Sequence, residues 1–244
     1  MHATNWEFRN RALVFGLILA VAFQFYFLDH HNAAQALANR LAAALGANAD
    51  VMVRALVALG ALLVGVAALL RTWASAYLQA EVVYAADVKS AALVADGPYR
   101  YVRNPLYFAN VLMAIGMGAL ASRIGFFFLT VMMVVFCYRL ILREEAELSA
   151  AQGEHYGQYR EAVPRLWPSL RARVRSAGGR ANWAGGFKAE FWYWGMALAL
   201  VVFAITLKTL LFFLILGASL MCFWLFTSWG KNKNQSESEK LSTH

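Results

Sequence analysis

Six apolar runs set the plan of the chain: Ala12 to Leu28, Val51 to Leu70, Pro105 to Ser122, Gly125 to Leu142, Phe187 to Leu207 and Thr209 to Trp229. At 1.5 Å per residue each makes roughly 25–32 Å of helix, enough to cross the hydrocarbon of a bilayer. The pattern predicts an all-α integral membrane protein with about six transmembrane helices. Arg9 and Arg11 precede the first run, as in a secretory leader, but it ends in Gln24-Phe25-Tyr26-Phe27 with no small-residue cleavage site nearby. It is therefore read as a retained span. Between the first two runs, Leu37, Leu41 and Leu45 recur at helical spacing and predict an amphipathic surface helix. After the second run, Trp73, Tyr77 and Tyr84 interleave with polar residues and predict an interfacial helix that continues the span. Arg54 is close enough to the end of that span to snorkel. The tail from Gly230 is polar and predicts no structure.

The stretch from Asp96 to Tyr107, D-G-P-Y-R-Y-V-R-N-P-L-Y, is where this plan meets chemistry. Gly97-Pro98 forces a turn. Pro105 suits the first turn of a new helix, so Arg100, Arg103 and Asn104 crowd at its mouth. The free N–H groups and partial positive charge of a helix start favour anions there. The plainer reading is positive-inside anchoring by the two arginines. The third and fourth runs form a hairpin of equal arms, so Arg139, Arg143, Glu144 and Glu145 return to the level of Arg103, Asn104 and Tyr107. A helix-end ion pair with Arg143 would be the structural explanation of Glu144-Glu145, although carboxylates at a helix C-terminus oppose its dipole.

Composition supports the membrane class: 61% of residues are hydrophobic and 15% charged. The net charge of +8 then reflects topology and not nucleic acid. With six spans and a cytosolic N-terminus, 18 Lys and Arg fall inside and 4 outside, which puts both termini and the Arg103 and Glu144 clusters in the cytosol. Cys137 and Cys222 lie in apolar runs without metal or disulfide spacing. His30-His31 are adjacent, do not share a helix face and have no cluster to complete a metal shell. The chain divides into N-terminal membrane helices (1–92), a core (93–170), a basic cytosolic loop (171–188), a C-terminal helix pair (189–229) and a polar tail (230–244).

The elements G-P-Y-x-x-x-R-N-P-x-Y, then E-E-x-x-L, then G-x-x-Y-x-x-Y-x-x-x-V-P-R occur in this order over residues 93–168. In this the chain resembles the isoprenylcysteine carboxyl methyltransferase and phospholipid N-methyltransferase superfamily. The resemblance implies S-adenosylmethionine as methyl donor, held on the cytosolic face by the helical hairpin and its flanking loops. It places cofactor contacts on Leu93, Val94, Tyr99, Asn104, Pro105, Leu106, Tyr107 and Glu144, with Arg103 and Glu145 beside them. Arg103, Arg139, Arg143 and Tyr107 are the expected catalytic groups. Glu144 suits the donor's ammonium, Arg100 or Arg103 its carboxylate, and Tyr99, Tyr101 and Tyr107 its adenine or sulfonium. Two features depart from the carboxyl methyltransferases: Asn104 replaces a usual His, and no Arg stands four residues before the glutamate, the nearest being Arg139 and Arg143.

Two acceptors remain in view, both lipophilic and bilayer-borne. A carboxylate, such as an isoprenylcysteine-like group, needs only a cation to hold it, which Arg139 or Arg143 could supply. A phospholipid amine needs a base, and Glu145, Glu147 or His155 are the candidates. The carboxylate is preferred. A non-catalytic scaffold or transporter is the alternative of another class, disfavoured because the runs hold almost no polar residues away from their ends. The last helix pair would wall a substrate channel or form a dimer face.

Overall fold

The computed structural model describes residues 2–85 and 95–242, with side chains described outside 79–85 and 226–242. Leu93 and Val94 lie outside the described residues. Nine helices occur among the described residues: α1 Asn5–Arg9, α2 Arg11–Gln24, α3 Ala33–Leu45, α4 Ala49–Ala85, α5 Pro105–Gly118, α6 Arg123–Ala162, α7 Trp183–Ala189, α8 Phe191–Thr206 and α9 Thr209–Ser242. No strand occurs among them; Asn32 and Ser122 make an isolated bridge. The chain is all-α as the hydrophobic pattern predicts.

Two helices, α4 and α6, are long and apolar enough to cross a membrane among the described residues, and α7 with α8 makes a third if their 64° bend lies within one span. The apolar helices at 11–27, 105–118 and 209–225 are shorter. Each predicted run is thus a helix, but two to three of them qualify as spans by length and composition.

Several elements are longer than the pattern predicts. The second span and the start of its interfacial extension are one helix of 37 residues, α4. The fourth span runs on through Glu144 and Glu145 as α6, to Ala162, broken only where Gly153 takes φ 54°. Positive φ is cheap for glycine and re-aims the chain without a loop. α9 continues to Ser242, past Gly230, where the sequence predicts a tail without structure.

α3 departs from its predicted face. Ala34, Ala38 and Ala42 are buried, while Leu37 and Leu45 are exposed. Small residues let the helix approach α4 closely, and Ala33 and Ala34 donate backbone hydrogen bonds to the carbonyls of Ala121 and Ala119 at the α5–α6 turn. The leucines are left on the outer surface, which in a membrane protein costs little.

The core forms where α5 lies between α4 and α6, around Val57, Val64, Met113, Met117, Leu129, Met133 and Leu140. At the α4–α5 crossing, a Cβ on Gly116 would lie 2.5 Å from the Gly60 carbonyl oxygen, so only glycine permits this approach. α1 is closed by a Thr4–Glu7 capping box and pinned to α6 by Glu7–Arg139 at 2.7 Å and by the Ala3 amide on the Arg139 carbonyl. Arg54 donates to the Ala204 and Ile205 carbonyls at the end of α8, capping that helix instead of reaching for the surface.

Candidate functional site

A 3-10 turn, Gly97–Arg100, leads into Pro105 at the start of α5. Gly97 is needed there: it has φ 58°, and a Cβ would lie 2.4 Å from the Tyr77 ring. Ahead of the turn, Asp96 accepts from the Ser176 hydroxyl at 2.5 Å and from the Ala177 and Gly179 amides at 3.0 and 2.8 Å. Its burial disfavours the charge, but these bonds outweigh it and hold the pKa below the ordinary carboxylate value. The basic loop is thereby tied to the turn, and Arg100 strengthens the tie through the Val174 carbonyl.

The hairpin brings the two predicted clusters together. Tyr107 donates to Glu144 at 2.7 Å. Glu145 accepts from Arg103 at 3.1 Å, Arg165 at 3.1 Å and Asn104 at 3.4 Å. Arg103 also donates to the Val163 and Arg160 carbonyls, so all three of its nitrogens are engaged. Asn104 bonds the Arg165 carbonyl at 3.0 Å. The mouth of α5 is thus stitched to the Val-Pro-Arg segment, with Arg103 7% and Glu145 6% exposed.

Above this knot lies a cavity of about 770 Å³, lined by Tyr99, Arg103, Asn104, Pro105, Leu106, Tyr107, Glu144 and Glu145. That volume falls within the range of small-molecule sites. The described residues of the predicted cofactor set all line it. Arg139 and Arg143 do not: Arg139 faces Glu7, and Arg143 faces Glu147 at 2.8 Å and the Ala3 carbonyl. Tyr101 stacks near Trp73, with ring centroids 6.0 Å apart, and is likewise absent from the lining. His155 and Glu147 are exposed on α6.

The cavity also contains groups the sequence did not single out. Arg71 of α4 pairs with Glu190 at the α7–α8 bend at 2.5 Å, donates to Asn110 of α5 at 2.7 Å and lies 4.1 Å over the Tyr193 ring. Ser75 and Tyr193 complete the network on Glu190 and Asn110 at 2.6 Å each. Phe15 and Leu19 of α2 and Leu220 and Phe223 of α9 form an apolar flank, and Arg11 of α2 also lines the cavity. Asn110 and Glu190 inside apolar runs and Arg71 just past one were the available signal, but their partners lie too far along the chain to be matched from sequence.

The Tyr99 hydroxyl is buried without a hydrogen-bond partner, an arrangement that ordinarily costs about 1–3 kcal/mol. Among the described residues, the Tyr107 hydroxyl alone hydrogen-bonds Glu144. Both face a cavity that spans the family motif.

Residues 55–156 match the phospholipid methyltransferase family. That family is a member of the integral membrane methyltransferase superfamily which the sequence resembles, and the match bears the resemblance out. It covers α4 from Ala55, the turn, α5 and α6 to Tyr156. Two curated proteins are also similar. The nickel-cobalt-cadmium resistance protein of Alcaligenes xylosoxydans xylosoxydans is 27% identical over 148 residues, 59% of this chain and 66% of that protein. The cobalt-zinc-cadmium resistance protein of Cupriavidus metallidurans is 28% identical over 115 residues, 47% of this chain and 50% of that protein. The chain thus spans between half and just under two thirds of these relatives. No solved structure matches. Among the described residues no group of three or more His, Cys, Asp and Glu could hold a metal ion.

Proposed function

We propose that the protein is an S-adenosylmethionine-dependent methyltransferase acting on a lipophilic substrate within the membrane. The observation that carries this reading is the cavity itself, where an orphan Tyr99 hydroxyl and the lightly partnered Glu144 stand beside the hairpin motif. The donor offers an ammonium and hydroxyl groups that these two residues can receive. When bound, S-adenosylmethionine supplies a methyl group activated on a sulfonium. Glu144 would hold its ammonium, the Tyr99 hydroxyl would meet its polar groups, and Tyr107 fixes the Glu144 rotamer. The apolar flank from α2 and α9 would exclude water and align the acceptor, which is most of what an in-line displacement requires.

Carboxylate accounting favours a carboxylate acceptor. Glu190 is held by Arg71 and Ser75, and Glu145 by Arg103, Arg165 and Asn104. With Glu144 on the donor, no carboxylate among the described residues that line the cavity is left to deprotonate an ammonium. A carboxylate acceptor needs no such base. N-methylation of a phospholipid amine is the second reading, favoured by the description of the matched family.

In the same reading the six apolar helices lie in the bilayer, and both termini and the cavity face the cytosol, because 18 of 22 Lys and Arg then lie inside. Residues 93–170 form the methyltransferase core, and the α8–α9 pair walls the cavity. Involvement in metal resistance, as the two relatives' names describe, would come through methylation of a membrane component. Incubating purified protein with labelled S-adenosylmethionine and membrane lipid extract tests the proposal; a labelled lipid-soluble product is expected, and none would refute it.

A further inference from the structure

Arg11 lines the main cavity and also a second hollow of about 620 Å³, shared with Asn5, Phe8, Arg9 and Arg143. Arg11 and Ala12 are thus the wall between the two. The guanidinium carbons of Arg11 and Arg143 lie 4.8 and 4.6 Å from the Phe8 ring centroid. One aromatic ring therefore holds two cations at the rim of the cavity. Glu147 pairs with Arg143, but among the described residues neither Arg9 nor Arg11 takes part in an ion pair. The scaffold is firm, because the capping box and Glu7–Arg139 fix α1, and with it Phe8 and Arg9, onto α6. Three guanidiniums gather around the hollow, and with Glu147 on Arg143 and Glu144 within electrostatic reach of Arg11, one positive charge is left over for an anion to relieve.

We propose that Arg9, Arg11 and Arg143 form a docking site for the anionic group, phosphate or carboxylate, of a membrane amphiphile. Its tail runs from Arg11 along Phe15 and Leu19 of α2 toward Leu220 of α9, on the apolar flank of the main cavity. That this amphiphile is the methyl acceptor rests on the methyltransferase reading; the anion site rests on the arginines alone. Guanidinium forks match the paired oxygens of phosphate or carboxylate, and the continuous apolar wall favours a lipid over a free anion.

Calorimetry on the full chain in neutral detergent tests the site with short-chain phosphatidic acid, phosphatidylcholine of equal chain length and inorganic phosphate. Phosphatidic acid is expected to bind at least about tenfold more tightly than either of the others. Arg11→Gln and Arg9→Gln should each weaken that binding about tenfold, with Arg11→Lys recovering part of it, since charge is restored without the fork. Helicity and melting of each variant establish that it is folded. Unchanged affinity in a folded Arg11→Gln protein overturns the site, as does equal binding of phosphatidylcholine. Inorganic phosphate binding as tightly as phosphatidic acid overturns the amphiphile. A titration of the same wild-type preparation with S-adenosylmethionine judges the methyltransferase reading separately: if it fails while phosphatidic acid binds as expected, the docking site stands and the acceptor role falls.

Discussion

Glu144 and Glu145 are neighbours in sequence and opposites in environment. Glu145 is buried against two arginines and an asparagine, whereas among the described residues Glu144 takes one hydrogen bond, from Tyr107, and faces the cavity with Arg11 in electrostatic reach. The two should therefore fail differently. Glu145→Gln leaves the buried Arg103 uncompensated and is expected to cost about 3–5 kcal/mol of stability, read as a lower melting temperature. Glu144→Gln is expected to leave melting nearly unchanged and to weaken S-adenosylmethionine binding by about 2–5 kcal/mol in calorimetry. Equal melting losses in both variants would make Glu144 a structural residue. Tyr99 gives a second separation of the same kind. Its orphan hydroxyl stabilises nothing in the chain, so Tyr99→Phe should melt at or above the wild-type temperature while binding the donor more weakly. The sequence identified both residues as candidates through the motif, but not their environments. Nothing in R-E-E-A-E-L states which glutamate turns toward Arg103; that depends on how α6 is rotated against α5.

Among elements, the α5–α6 hairpin was the most legible, because Pro105 fixes its start and the two apolar arms fix its return. The long extensions of α4 and α6 were less so, since the polar residues that end an apolar run in sequence do not end a helix that packs against its neighbours. The bend between α7 and α8 was illegible for a different reason. Glu190 sits at the break and reaches Arg71 across 119 residues of sequence, a pairing no local pattern encodes. This ion pair, with Ser75, Asn110 and Tyr193 around it, joins α4, α5 and α8 into one wall of the cavity. Removing one partner strands the other charge. Glu190→Ala is expected to cost about 3–5 kcal/mol, observed as an early thermal transition, whereas Glu147→Ala, which breaks the more exposed pair with Arg143, should cost no more than about 1 kcal/mol. Similar losses in both would mean that the network does not hold the C-terminal helices in place.

For the molecule as a whole, charge asymmetry and the carboxylate accounting each lead to a measurable outcome. The proposed orientation predicts that a reporter fused after His244 reads as cytosolic; a reading on the opposite face would overturn the inside placement of the cavity and of the arginine-rich loop together. The acceptor is decided by chemistry that spans all the cavity walls. Of the two cations that first made a carboxylate attractive, Arg139 is turned toward Glu7 of α1 and Arg143 toward the hollow beside Arg11, outside the cavity lining, yet the preference survives on other grounds. An amine headgroup arrives as an ammonium and must lose a proton before its lone pair can attack carbon. Among the described residues, the three glutamates that line the cavity are occupied or, in Glu144, assigned to the donor, and His155 lies outside its lining. A carboxylate carries its lone pairs at neutral pH and meets Arg11 at the rim. The product is then a methyl ester, which mild alkali cleaves to release labelled methanol, and loss of label from the lipid fraction under alkali is the expected result. An N-methyl product keeps its label under the same treatment; that outcome would move Glu144 from the donor to the role of base and give the donor's ammonium another partner.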